Sequence, residues 1–151
     1  MFHVVLYEPE IPANTGNIGR LCVATGATLH LVGRLGFHLD DRSLRRAGLD
    51  YWPHVRLVRH GTLAEFEEQF PVERLFCLSA HASRPYSRVS FHPGDALLFG
   101  SESRGLPPEV LARHQERVVT IPQPGGVVRS LNLATAVGIV LYEALRQAEV
   151  W

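Results

Sequence analysis

Lysine is absent from this chain; all 15 of its Lys-or-Arg cations are arginine. The absence removes any Walker-type phosphate loop, which needs a lysine. An excess of charge is missing too: 15 basic residues balance 15 acidic ones, so no global field draws the chain to nucleic acid. Cysteine is scarce. Cys22 and Cys77 lie within apolar runs, form no CxxC and have no metal-ligand spacing with the histidines, so they read as small core residues. Neither a disulfide nor a metal site is expected. No apolar run has membrane-spanning length, and Met1 to Leu6 is too short and uncharged for a signal peptide. The cytoplasm is therefore the expected compartment, with no membrane partner. Gly16-Asn17-Ile18-Gly19 is not a dinucleotide fingerprint, and Gly100 to Gly105 lacks the spacing of a hydrolase elbow. Repeats, low-complexity segments and linkers are also missing, so one domain over 1–151 is expected, large enough to bury a core without staples.

What is present is an alternation of short apolar runs with helical patterns. Strands are expected at His3–Tyr7, Thr28–Val32, Val55–Val58, Leu75–Ser79, Ala96–Phe99 and Val118–Ile121. Helices are expected at Gly16–Thr25, stopped by Gly26, and from Asp40 or Asp41 to Gly48. Three more are expected from the capping box at Thr62-Leu63-Ala64-Glu65 to Phe70, over Pro107–His114, and over Leu131–Ala148. Wholly apolar strands such as Ala96–Phe99 suit a sheet covered on both faces. The pattern predicts an α/β domain around a mainly parallel sheet flanked by helices.

Two Gly/Pro-rich loops leave the carboxyl ends of predicted strands, where open α/β sheets build ligand sites. One is Gly100-Ser101-Glu102-Ser103-Arg104-Gly105-Leu106-Pro107. The other runs from Pro122 through Gly125 and Gly126 to Ser130-Leu131-Asn132 and enters the last helix. Both could equally be plain strand-to-helix turns. Leu78 and Ile121 end apolar strands, and Gly100 would let a ligand approach the backbone. Glu102 could face a cation or orient a loop. Ser130 and Asn132 suit helix capping, which also leaves amides for a ligand. Arg20 sits on the first helix, whose Ile18, Leu21 and Ala24 are expected to face the sheet. Arg42, Arg45, Arg46, Arg56 and Arg59, with His54 and His60 among them, form the densest cationic stretch. Arginine binds phosphate through a planar fork and stacks on bases, so a local surface of this kind suits RNA. Genomic base composition or growth temperature would produce the same bias.

In order, Asn14-Thr15-Gly16-Asn17-Ile18-Gly19-Arg20, Phe99-Gly100-Ser101-Glu102-Ser103-Arg104-Gly105-Leu106-Pro107 and Ser130-Leu131-Asn132-Leu133 resemble the three motifs of the SPOUT methyltransferases, the trefoil-knotted RNA methylases. Tyr7 to Pro12 and Asp40 to Tyr51 resemble the branch that methylates the wobble ribose of tRNA, and the likeness runs from Phe2 to about Arg146. It implies a C-terminal knot that patterning cannot show, and S-adenosylmethionine as cofactor. By the same resemblance Leu78, Gly100, Glu102, Ile121, Ser130 and Leu131 would bind that cofactor. Arg20, Asn14, Ser130 and Asn132 would form the catalytic group, with Asn14 orienting Arg20 or the loop around it. Arg20, Arg45, Arg46 and Arg104 would contact RNA at the tRNA anticodon loop. The loop Gln123 to Val128 departs from the branch in detail.

A guanidinium stays protonated, so Arg20 is expected to bind phosphate or stabilise a developing alkoxide rather than act as a base. A domain of this size has no separate RNA module, and Val137, Ile139, Val140, Leu141, Tyr142 and Leu145 exceed one apolar face, so a homodimer is expected. The expected activity is 2′-O-methylation of the wobble pyrimidine ribose. The sequence is also compatible with methylation of another RNA position, and with a non-catalytic RNA- or cofactor-binding module on the same scaffold.

Overall fold

In the computed structural model, residues Met1–Trp151 are described, except for the side chains of Arg45, Ala47, Gly48 and Leu49. Six parallel strands form the sheet: β1 (His3–Tyr7), β2 (Thr28–Val32), β3 (Leu57–His60), β4 (Leu75–Leu78), β5 (Ala96–Phe99) and β6 (Val118–Val119), in the order β3-β2-β1-β5-β4-β6. The helices are α1 (Pro12–Thr25), α2 (Arg42–Gly48), α3 (Leu63–Glu67), α4 (Pro108–Arg113) and α5 (Leu133–Gln147), with single 3-10 turns between some elements.

The apolar strands lie centrally because each must bury both faces. Val4 and Leu6 of β1, Leu29 and Leu31 of β2 and Leu97 of β5 pack against Ile18 and Cys22 of α1 and Val137, Val140 and Leu141 of α5. On the opposite face Val5, Val32, Cys77 and Leu98 meet Leu63 and Phe66 of α3 and Val110 of α4. Burial pushes both free thiols, Cys22 and Cys77, up to about 12, so they behave as core methyl-sized groups. No helix is long and apolar enough to cross a membrane among the described residues.

Several boundaries differ from the sequence expectation, each for a physical reason. Helix α1 starts at Pro12, not Gly16, because proline suits the first helical turn and the preceding amides find a carboxylate described below. Gly26 does end it, in the left-handed conformation at φ 76°. On α1 the buried residues are Asn14, Thr15, Gly16, Ile18, Gly19 and Cys22, and Leu21 packs half-buried against the core, whereas Ala24 is exposed. Strand β3 begins at Leu57, two residues later than expected, because a 3-10 turn over Leu49–His54 carries the chain past α1. Helix α3 keeps its cap, Thr62 Oγ1 accepting from the Glu65 amide at 3.2 Å, but ends at Glu67 rather than Phe70. Of the apolar excess on α5, Val137, Val140, Leu141 and Leu145 are consumed by the chain's own core, leaving Tyr142 exposed and Ile139 half-buried.

Strand order reverses between β1 and β5, and their carboxyl-end loops, Glu8–Ile11 and Gly100–Pro107, meet there. That crevice is where open α/β sheets place ligand chemistry.

Candidate active site

Glu102 closes the crevice between β1 and β5. Its Oε1 accepts from the Glu10 amide at 2.8 Å, and its Oε2 from the Ile11 amide at 2.9 Å and from Asn14 Nδ2 at 3.2 Å. A carboxylate at the start of α1 is also favoured by the helix dipole. Of the two roles open to Glu102, facing a cation or orienting a loop, these bonds are those of the second. Asn14 passes the connection on: its Oδ1 accepts from Asn132 Nδ2 at 3.1 Å. Asn132 in turn caps α5, its Oδ1 accepting from the Thr135 amide at 3.2 Å. One side-chain chain thus ties together residues of all three sequence motifs. Asn14 is buried, and its bonds go to Glu102 and Asn132; none goes to Arg20.

A second clamp runs parallel. Glu10 accepts from the Ser103 amide at 2.8 Å and from Ser103 Oγ at 2.7 Å, and these bonds hold its carboxyl below the usual carboxylate range. Glu8, at φ 48°, accepts from the Arg34 amide at 3.1 Å, tying the same loop to the turn after β2. Glu8 and Glu10 were not singled out from sequence as site residues, since their partners lie far along the chain.

Gly100 is required by the chain's own fold. A Cβ there would lie 2.1 Å from the Gly105 carbonyl carbon and 2.3 Å from the Leu106 nitrogen, where the loop returns on itself through the Ser101–Gly105 bridge. The glycine serves this return, a reason distinct from the ligand approach expected of it. Leu78, Gly100 and Ile121 lie at or just beyond the carboxyl ends of the adjacent strands β4, β5 and β6. Leu78 and Ile121 belong to one apolar cluster. Leu131 is half-buried, and Ser130 is exposed just before α5. Gln123, in the loop after β6, has its Oε1 buried without a hydrogen-bond partner.

Arg20 is exposed on α1, six residues beyond Asn14 and on another side of the helix, with its guanidinium over the Tyr51 ring. Arg42, Arg46, Arg56, Arg59 and Arg104 are all exposed, and none joins an ion pair among the described residues. The side chain of Arg45 lies outside the described residues. Arg84 donates to the Glu116 carbonyl at 3.0 Å. His60 does not belong to this cationic surface: it is buried, and its Nε2 meets His30 Nδ1 at 2.9 Å. Two hollows of about 550 and 460 Å³ flank the loop after β2, one reaching Arg59 and the other Pro12.

The SpoU rRNA Methylase family model matches residues 1–142. The chain belongs to this family. Among curated SpoU-family relatives, the Escherichia coli strain K12 protein named tRNA (cytidine(34)-2'-O)-methyltransferase is 46% identical over 151 residues, covering 97% of this chain and 94% of its own length. The protein of the same name from Saccharophagus degradans is 48% identical over 97% of this chain and 96% of its own. A solved structure from work on the 2-OH methylation of C/U34 on tRNA has a TM-score of 0.92 and 54% identity, covering 97% of this chain and 95% of that one. The SpoU methyltransferase AviRb from Streptomyces viridochromogenes, solved in complex with the cofactor AdoMet, has a TM-score of 0.83 and 28% identity. That match covers 96% of this chain and 57% of that chain.

Proposed function

We propose that this protein transfers the methyl group of S-adenosylmethionine to the 2′-oxygen of the wobble pyrimidine ribose of tRNA, as a cytoplasmic homodimer and without a metal. The observation that carries the reading is the Glu102–Asn14–Asn132 chain, which fixes the three motif segments against one another at the carboxyl edge of the sheet. The similarity to relatives named for cytidine 34 supplies the substrate.

The donor set fits the cofactor. Leu78 and Ile121 offer apolar walls for an adenine, and the unpartnered Oε1 of Gln123 needs a donor such as an amino group. Gly100, Ser130 and Leu131 complete the holding group, with Glu102 fixing the loop they adjoin. The cofactor supplies an electrophilic methyl carbon. The chain's own residues supply alignment, worth roughly 7–11 kcal/mol in favourable cases. Arg20 keeps its charge and binds the nucleotide phosphate or stabilises oxyanion character at the ribose oxygen, Ser130 and Asn132 orient the sugar, and the 2′-hydroxyl proton passes to a phosphate oxygen, Ser130 or water as S-adenosylhomocysteine leaves. Arg46 and Arg104 contact the anticodon-loop backbone.

The test is purified protein with unmodified tRNA and S-adenosylmethionine in the presence of a chelator, followed by nuclease digestion and mass spectrometry. A methylated ribose at the wobble position is expected. A methylated base, or a ribose methylated only outside the anticodon loop, overturns the substrate assignment.

A further inference from the structure

We infer that Tyr51 is a positioning residue for Arg20, fixing the guanidinium plane while leaving its N–H donors free for a nucleotide oxygen. The inference rests on the proposed role of Arg20 and deepens it. The Arg20 guanidinium carbon stands 4.8 Å from the centre of the Tyr51 ring. An arginine held by a carboxylate would lose its donors and its net charge to that partner. One held by an aromatic face keeps all five donors, because they point outward in the guanidinium plane. Arg20 has no ion pair among the described residues, so the ring is the contact the structure provides.

The ring's own place is built, not incidental. The residue before Arg20 is Gly19, and a Cβ there would lie 2.8 Å from Trp52 Cζ3 and 3.3 Å from Val55 Cγ2. Glycine therefore lets the Trp52 ring press directly on the α1 backbone. The Val55 amide donates to the Trp52 carbonyl at 3.1 Å, closing the 3-10 turn over Leu49–His54 at this point. Adjacent residues on α1 thus receive adjacent residues of the turn: Gly19 takes Trp52 and Arg20 takes Tyr51. Tyr51 remains 39% exposed, so the pair sits at the surface, where RNA can reach it.

The experiment measures single-turnover methylation of tRNA, together with S-adenosylhomocysteine affinity, for Tyr51→Phe, Tyr51→Leu, Arg20→Ala and the double variant Arg20→Ala/Tyr51→Leu. A cation–π contact at an exposed site is worth a factor of about 2 to 5, and a misplaced reacting group costs up to about 100-fold. Tyr51→Leu should lower the methylation rate by about 2- to 100-fold within these bounds, with cofactor affinity unchanged, and Tyr51→Phe should restore it. In the Arg20→Ala background the leucine substitution should add no further loss. If Tyr51→Leu keeps the full rate while Arg20→Ala loses it, or if the leucine costs as much without Arg20 as with it, this inference falls and the role of Arg20 stands. If Arg20→Ala itself retains the wild-type rate, the role of Arg20 falls and takes the inference with it.

Discussion

Asn132 Nδ2 donates to Asn14 Oδ1 at 3.1 Å, across 118 positions of sequence, while Asn132 Oδ1 caps α5. One amide thus sets both the start of the last helix and its distance from α1. Asn132→Ala removes the cap and leaves the Asn14 oxygen without its donor. The cap alone is worth about 1 kcal/mol, and an unpartnered buried acceptor adds about 1–3 kcal/mol. A fall in urea midpoint, with a larger fall in methylation rate than the stability change explains, is expected. Equal activity at full folding would show that the bridge does not organise the site.

Arg20→Ala should keep S-adenosylhomocysteine affinity and lose most turnover, because Arg20 is assigned to the nucleotide and lies on another side of α1 from Asn14. Calorimetry and the methylation assay separate the two effects. A rate within a few-fold of wild type, about 1 kcal/mol in barrier, would remove Arg20 from the chemistry.

Strands β1, β2 and β5 were legible with their observed bounds, β5 as a wholly apolar run left without alternation by two-sided burial, β1 and β2 as short runs rich in apolar residues. Motif residues were legible as a set, but their partners were not. Glu10 and Ser103 are 93 positions apart, and only the parallel pairing of β1 with β5 brings their loops together. The start of α1 at Pro12 was not legible, because the acceptor for the amides just before it is the Glu102 carboxylate, 91 positions from Ile11. His60 was grouped with the surface cations because its strand register is set by tertiary pairing, which local sequence does not carry.

His3, His30 and His60 form an imidazole ladder across β1, β2 and β3, with ring nitrogens 2.9 Å apart at both steps. Phe66 and Phe70 pack edge-on against it. Burial lowers all three from the usual 6.5, His30 to about 3. The N-terminus and Arg74 push His3 further down, whereas Glu65 pulls His60 partly back. Because the folded values are depressed, the unfolded chain binds more protons below pH 6.5. The ladder's stability is therefore full above about 6.5 and lost as pH falls toward 3. His30 alone accounts for about 2 kcal/mol at pH 5. Urea melts at pH 7.5 and 5 should show this loss, and His30→Leu should flatten the difference. An unchanged slope in that variant would place the acid sensitivity elsewhere.

Gly100 and Gly125 offer a matched pair for testing how the cofactor edge is built. A Cβ at Gly100 would lie 2.1 Å from the Gly105 carbonyl carbon, which is backbone and cannot swing aside, whereas nothing lies within 4 Å of one at Gly125. Gly100→Ala must therefore open the return from Ser101 to Gly105. The motion carries Glu102 away from the Glu10 and Ile11 amides and loosens the start of α1. Gly125→Ala should stay within about 0.5 kcal/mol of wild type, as surface changes generally do. The expected result is metal-independent S-adenosylhomocysteine binding in the wild type, measured by calorimetry with a chelator, and its loss in Gly100→Ala along with a lowered melting temperature. Loss of binding in the wild type on adding the chelator would contradict the metal-free assignment. Unchanged binding in Gly100→Ala would show that the loop between β5 and α4 does not shape the cofactor site.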